Sequence, residues 1–363
     1  MVAIGMPQER EEIRAGQSPG AEVESKGIIR RMRIRNLPIL LLVALLFGAF
    51  SNRADAEAQV PLGHVEIRGS GPLPMVLISG PTLDWRYWED FMDRNSDVYT
   101  MYAVTLPGMS GSEAMPSPPL WRPPDREDRK KPPLETPWLD NAVEAIVDMM
   151  IEEEIGPAVV MGHAMGGLLA LRLGIEHPAM VSAVISLEGP VAFPTPREMT
   201  RNERAADALW RFDHNLRSIS PEDWPGQMAR WTRTGASNTE ITDFVTELSL
   251  ETSQEVCIRY MVEHRMTDLS DEIAKLRAPT LGIFSEVSSQ DGVNYDRIKK
   301  TQFGPAWHED IRFYPMDEIG FFYTLRAPER FDMEIADFLR AKNIPGAPKP
   351  PKPEKDNHAG HDH

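Results

Sequence analysis

A single cysteine, Cys257, stands among the 363 residues, so no intramolecular disulfide staples the fold, and no Cys/His spacing resembles a zinc site. No apolar run reaches the ~18 to 20 residues needed to span a bilayer, which excludes a polytopic membrane protein. Positive charge is in deficit: 39 Lys and Arg against 55 Asp and Glu give a formal charge of −16. Such a surface repels phosphate backbones and anionic lipid, so no nucleic-acid partner is expected. Neither a cofactor nor a metal is expected. With 41% hydrophobic and 26% charged residues, the composition is that of a folded globular chain long enough to bury a large core.

What is present begins with an export pattern. Lys26, Arg30, Arg31, Arg33 and Arg35 precede an apolar stretch from Leu37 to Phe50, broken only by Pro38 and Gly48, and Ala54-Asp55-Ala56 follows with the small-x-small spacing of a signal-peptidase site. The order basic, apolar, cleavage site predicts removal of residues 1–56 and an exported protein, periplasmic or secreted. An uncleaved signal anchor is the competing reading, and the only route by which this chain would touch a membrane. Met32 would begin a signal peptide of ordinary length, which leaves residues 1–31 either a cytoplasmic extension or untranslated. No Cys follows the apolar run to carry a lipid. Cleavage leaves 31 basic against 49 acidic residues, a still more acidic mature chain.

Downstream, apolar runs bounded by Gly and Pro predict strands at His64–Arg68, Met75–Ser79, Tyr99–Leu106, Ala158–Met161, Val181–Leu187, Thr280–Phe284 and Ile311–Tyr314. Helical spacing predicts helices at Trp138–Glu153, Gly166–Glu176 and Pro328–Leu339. Met115–Pro137, with eight prolines and the run DREDRKK, reads as an extended surface loop. Strand and helix alternate except across residues 196–274, which are helix-rich and carry Trp210, Trp224, Met228 and Trp231. The pattern predicts an α/β fold with a mostly parallel sheet, residues 57–195 and 275–341, interrupted by a helical cap, residues 196–274. Residues 342–363, rich in Pro and ending in three His, read as a disordered tail.

Val159-Val160-Met161-Gly162-His163-Ala164-Met165-Gly166-Gly167 has a strand before it, a helix after it, and glycines at the second position on either side of Ala164. It resembles the nucleophile elbow of the α/β-hydrolase superfamily, in which only small neighbours let strand and helix approach closely enough to press one side chain outward. The likeness runs further. Ser79-Gly80-Pro81 followed by Trp88 is similar to the family's oxyanion turn, Leu106–Ser112 (LPGMSGS) to its Leu-Pro-Gly segment, and Leu276–Phe284 and Ile319–Leu339 to its late strand and closing helix. The resemblance covers residues 64–340 and implies a capped, esterase- or epoxide-hydrolase-like fold.

The chemistry that this resemblance implies is missing. Ala164 stands where the nucleophile belongs, and a methyl group cannot attack a carbonyl. Phe321 stands where the family keeps its catalytic His, so no general base remains there. The family's acid falls at Ser288, although Glu286 and Asp291 lie near enough for a shifted loop to supply a carboxylate. One oxyanion donor falls on Pro81, which has no N–H, unless the alignment shifts by one residue; Met165 supplies the other. Substitution at two or more triad positions argues for a natural protein that lacks the hydrolytic reaction, not for a single-site knockout.

Other residues have plainer readings beside sharper ones. His163 adjoins the elbow and packs beneath it in this fold. Glu188, ending a strand, occupies a place where some members keep an alternative acid, but it has no histidine to orient. Asp84, Trp85 and Trp88 either line the mouth of a pocket or pack the first helix; Phe322 is a further pocket candidate. His308 reads as a surface turn and Cys257 as a small buried side chain. Three functions follow. The first is a pseudoenzyme whose cleft binds a small apolar ligand or whose surface docks a protein partner. The second is an active esterase-like hydrolase with a relocated catalytic group. The third is a structural subunit of an envelope assembly.

Overall fold

The computed structural model describes residues 59–117, 127, 130–193, 199–236, 238–286 and 310–349. The residues read as an export signal, just under half of the Pro-rich loop, Ser288, Asp291, His308 and the His-containing end lie outside these residues. Seven strands form one sheet: β1 (Val65–Arg68), β2 (Leu73–Ile78), β3 (Tyr99–Val104), β4 (Ala158–His163), β5 (Val181–Leu187), β6 (Thr280–Glu286) and β7 (Ile311–Pro315), in the order β1-β3-β2-β4-β5-β6-β7. β1 pairs antiparallel with β3 and every other pairing is parallel. The inner strands lack polar alternation because helices cover both of their faces.

Alternate residues of each inner strand enter two separate cores. Val76 and Ile78 of β2, Val160 of β4 and Val184 of β5 pack against α2 (Pro137–Glu152) and α3 (Met165–Glu176). Met75, Leu77, Val159, Met161 and Ile185 face the other way, against Trp88, α1 (Glu89–Asn95) and the closing helix α8 (Pro328–Ala341). The tail reading begins a few residues early, because Ile344 is buried in this second core and Gly346 packs against Leu73.

Between β5 and β6 the chain builds the helical layer that the composition predicted: α4 (Arg201–Ala208), extended by a wide turn through Leu209–His214, then α5 (Trp224–Gly235), α6 (Thr239–Leu250) and α7 (Gln254–Met266). Local chemistry starts these helices. Thr200 and Glu203 make a reciprocal capping box, and Asn238 and Ser253 accept N–H bonds from Ile241 and Val256. Ala205, Ala208, Trp224, Met228, Cys257 and Ile258 form the layer's own small core. It is tied to the sheet domain by Glu263, whose carboxylate accepts from the N–H groups of Trp138 (3.2 Å) and Leu139 (2.9 Å) at the start of α2. No helix among the described residues is long and apolar enough to cross a membrane.

Candidate functional site

The C-terminal edges of β2, β4, β5 and β6 meet beneath the helical layer, where a parallel sheet places its ligands. β4 ends at His163, and the chain turns into α3 through Ala164 at φ 51°, ψ −113°. An L residue adopts this conformation only when its surroundings enforce it. Here the enforcement is close packing. A Cβ on Gly162 would lie 2.0 Å from the carbonyl oxygen of Gly166, and one on Gly166 would lie 2.2 Å from that of Ile78. The N–H of Ala164 donates to the carbonyl of Leu187 (2.7 Å), which locks the turn to β5. The strained elbow is therefore intact around a side chain that has no reactive atom. Thr82 (φ 70°), Ser110 (φ 46°) and Glu188 (φ 54°) hold left-handed backbone as well, and Thr82 and Glu188 line the same space.

That space is a cavity of about 560 Å³, walled chiefly by apolar side chains: Leu83 and Val245, Met228 and Trp231 of α5, Met261 of α7, and Phe284, Phe313, Phe321 and Phe322. Pro81, His163, Ala164, Glu188, Phe321 and Phe322 all line it, so Ala164 and Phe321, the described positions that the resemblance assigns to nucleophile and base, come together there. Met165 follows Ala164 as the first residue of α3, its side chain buried in the core beside α2. Trp85 and Trp88 are not among the lining residues. Trp88 is fully buried, with its ring 4.9 Å from Tyr87 and 6.2 Å from Phe91. Trp85 instead stacks outward, under the Arg68 guanidinium and against His64. Their neighbour Asp84 is buried too. Burial raises its carboxyl, but bonds from Arg86 and Ser110 outweigh this and hold it below the usual carboxylate range, so it organises the turn as an anion.

The polar groups of the cavity are few. His163 sits among Tyr87, Phe321 and Phe322, with ring centroids 5.0, 4.8 and 5.5 Å away. Its Nε2 donates to the carbonyl of Phe321 (3.0 Å), which leaves Nδ1 an acceptor with no partner among the described residues. Burial lowers this imidazole to about 4 against the raising effect of the Phe321 bond, so it is neutral at pH 7. Glu188, at the end of β5, accepts a hydrogen bond from the Ser285 N–H (2.6 Å). Burial pushes its carboxyl up to about 8 despite that bond. Both ring nitrogens of His264 are buried without partners among the described residues. His264, on α7, is lowered to about 4 by burial and by the nearby Arg265. Burial pushes the Cys257 thiol up to about 12, which leaves it unreactive at neutral pH.

His264 is the lining residue that motif reading misses. Its signal lay in helical spacing: Cys257, Met261 and His264 fall four and three residues apart, one stripe of α7, and all three reach the cavity.

A strained strand-to-helix elbow under a helical cap, on a mostly parallel sheet, defines the α/β-hydrolase architecture. A family model described as the alpha/beta hydrolase family matches residues 75–319, well over half of the chain, and the protein belongs to that family. The lipase LipV of Mycobacterium tuberculosis is 28% identical over 136 residues, 37% of this chain and 44% of the lipase. A pimeloyl-(acyl-carrier protein) methyl ester esterase of Stenotrophomonas maltophilia is 31% identical over 125 residues, 33% of this chain and 39% of the esterase. The matched stretches thus span less than half the length of these curated relatives. A crystal structure of a hydrolase from Pseudomonas aeruginosa superposes with a TM-score of 0.57 at 14% identity, covering 76% of this chain and 93% of that one. That likeness shows the fold.

Proposed function

We propose that this chain is an exported member of the family that has lost Ser-His-Asp hydrolysis and uses its cavity to bind a small apolar molecule. The observation that carries the reading is Ala164: the elbow keeps its strained backbone and its close glycine packing, while the atom that would attack a substrate is absent. Strain of this kind costs about 1–3 kcal/mol and persists where the surrounding structure holds it. Phe321 supports the same reading, since its ring adds apolar wall where the resemblance places a base. Burial of apolar ligand surface is worth roughly 25 cal/mol per Å², and a cavity of this volume lies in the ordinary range for a small-molecule site, roughly 300–1,000 Å³. Export is supported by the order of basic, apolar and small residues up to Ala56.

A fluorescence titration of the purified chain with the neutral lipophilic dye Nile red tests the binding claim. The expected result is saturable one-to-one binding that 1-octanol displaces; no saturable binding would overturn it. Mass spectrometry of protein recovered from an exporting host tests the signal, with Glu57 expected as the first residue.

A further inference from the structure

The cavity has a charge pattern that apolar binding does not require. Among the described residues that line it there is no Lys and no Arg, and its one ionisable acid is Glu188. One group near that acid is a hydrogen-bond acceptor without a partner among the described residues. His163 Nδ1 is fixed as an acceptor because Nε2 donates to Phe321, and Ser285 bonds to Glu188 through its N–H and its side chain. These groups come from adjacent strands: His163 is registered opposite Leu187, and Leu187 opposite Ile283. They therefore crowd one edge of the sheet within about two strand spacings of roughly 4.8 Å each. The walls above include the rings of Phe321, Phe322 and Phe284, and aromatic rings attract cations to their faces. The chain as a whole carries −16, which draws cations toward it. The start of α3 beside Ala164 is the one feature that favours an anion.

We propose that the cavity is a site for a lipophilic amine, an alkylammonium whose charged nitrogen lies against Glu188 and the acceptor beside it while its apolar body fills the space under the helical layer. The proposal rests on reading the cavity as a ligand site and names the ligand's class. A carboxylate ligand would meet the Glu188 carboxyl and no side-chain cation among the described residues. An ammonium meets an acid, an acceptor and aromatic rings. In the empty cavity Glu188 is largely protonated at neutral pH, so each amine bound releases one proton from it as the ion pair forms. The other titratable groups around it do not change charge between pH 6 and 8. His163 on β4 and His264 on α7 are held near 4 and stay neutral, while Cys257 and the nearby buried Tyr87 are raised by burial and keep their protons.

The test is calorimetric titration of the full chain with octylammonium, 1-octanol and octanoate, in the wild type and in Glu188→Gln. The expected result is octylammonium binding at least tenfold tighter than either of the others at pH 7.5. Its affinity should rise about tenfold from pH 6 to pH 7 and flatten above about pH 8. Glu188→Gln should lose at least tenfold for the amine and lose the pH dependence, while a cooperative thermal unfolding transition shows that the variant is folded. Octanoate binding as tightly as octylammonium, or an amine affinity untouched by Glu188→Gln, would overturn the proposal. Equal binding of octanol and amine overturns the amine site and leaves the apolar-ligand reading standing; no binding of any of the three overturns both.

Discussion

Ala164 and Phe321 together decide what the elbow can do. A serine at position 164 would be aimed into the cavity by the backbone already there, but its neighbouring imidazole, His163, is held near 4 by burial and is too weak a base to activate it. The variant Ala164→Ser is therefore expected to show no esterase turnover and no labelling by a fluorophosphonate. The double variant Ala164→Ser with Phe321→His restores a nucleophile and a base on the same cavity wall as the Glu188 acid, and labelling is expected to appear in it alone. Labelling of the single variant would show that another group, His264 being the nearest in kind, serves as base. The elbow at Ala164 was legible in the sequence, because the glycines on either side of it mark a strand-to-helix turn. The unpartnered state of His264 was not, since it depends on where α7 lies over the sheet, and no local pattern encodes that.

The junction of β4 and α3 is among the tightest of the described residues, and two glycines make its close approach possible. Gly162→Ala would drive a methyl group to 2.0 Å from a backbone carbonyl oxygen that has nowhere to move, and it is expected to cost at least about 3 kcal/mol in chemical denaturation. The link between α7 and α2 is of another kind. Glu263→Ala would leave two buried N–H groups of α2 without an acceptor, for an expected loss of about 2–4 kcal/mol, while Glu263→Gln should recover part of it by keeping one acceptor oxygen. The helices and inner strands follow from apolar spacing and caps that any reading of the chain finds. The Glu263 bridge was hidden, because it joins residues 125 and 124 positions apart.

Four buried titratable groups make the stability of the whole molecule depend on pH. Glu188 and Glu263 are each pushed up to about 8, from an ordinary value near 4.5, mainly by burial. The folded state then holds more protons than the unfolded chain from about pH 4.5 to 8, and stability falls as pH rises through that range. His163 and His264, lowered to about 4 by burial, act in the opposite sense between pH 4 and 6.5. The two effects offset each other below pH 6.5; above it only the carboxyls act. Thermal unfolding is expected to show a midpoint that falls from pH 6.5 to 8 and then levels, with up to about 2 kcal/mol lost per carboxyl. Glu188→Gln should flatten about half of that slope, and an unchanged slope would show that the carboxyl is not buried as described. The mostly parallel sheet and the helical layer that enclose these groups were legible from the alternation of elements and its interruption; the strand order was not. The cavity's chemistry was only half legible, because it is assembled from the ends of β2, β4, β5 and β6, Phe313 of β7 and three cap helices. The most direct measurement is turnover of activated short- and long-chain esters by the purified chain, with a fluorophosphonate probe alongside. Silence in both assays is the expected result. Probe labelling, or turnover that survives in Glu188→Gln, would contradict the reading of this fold as a binding protein.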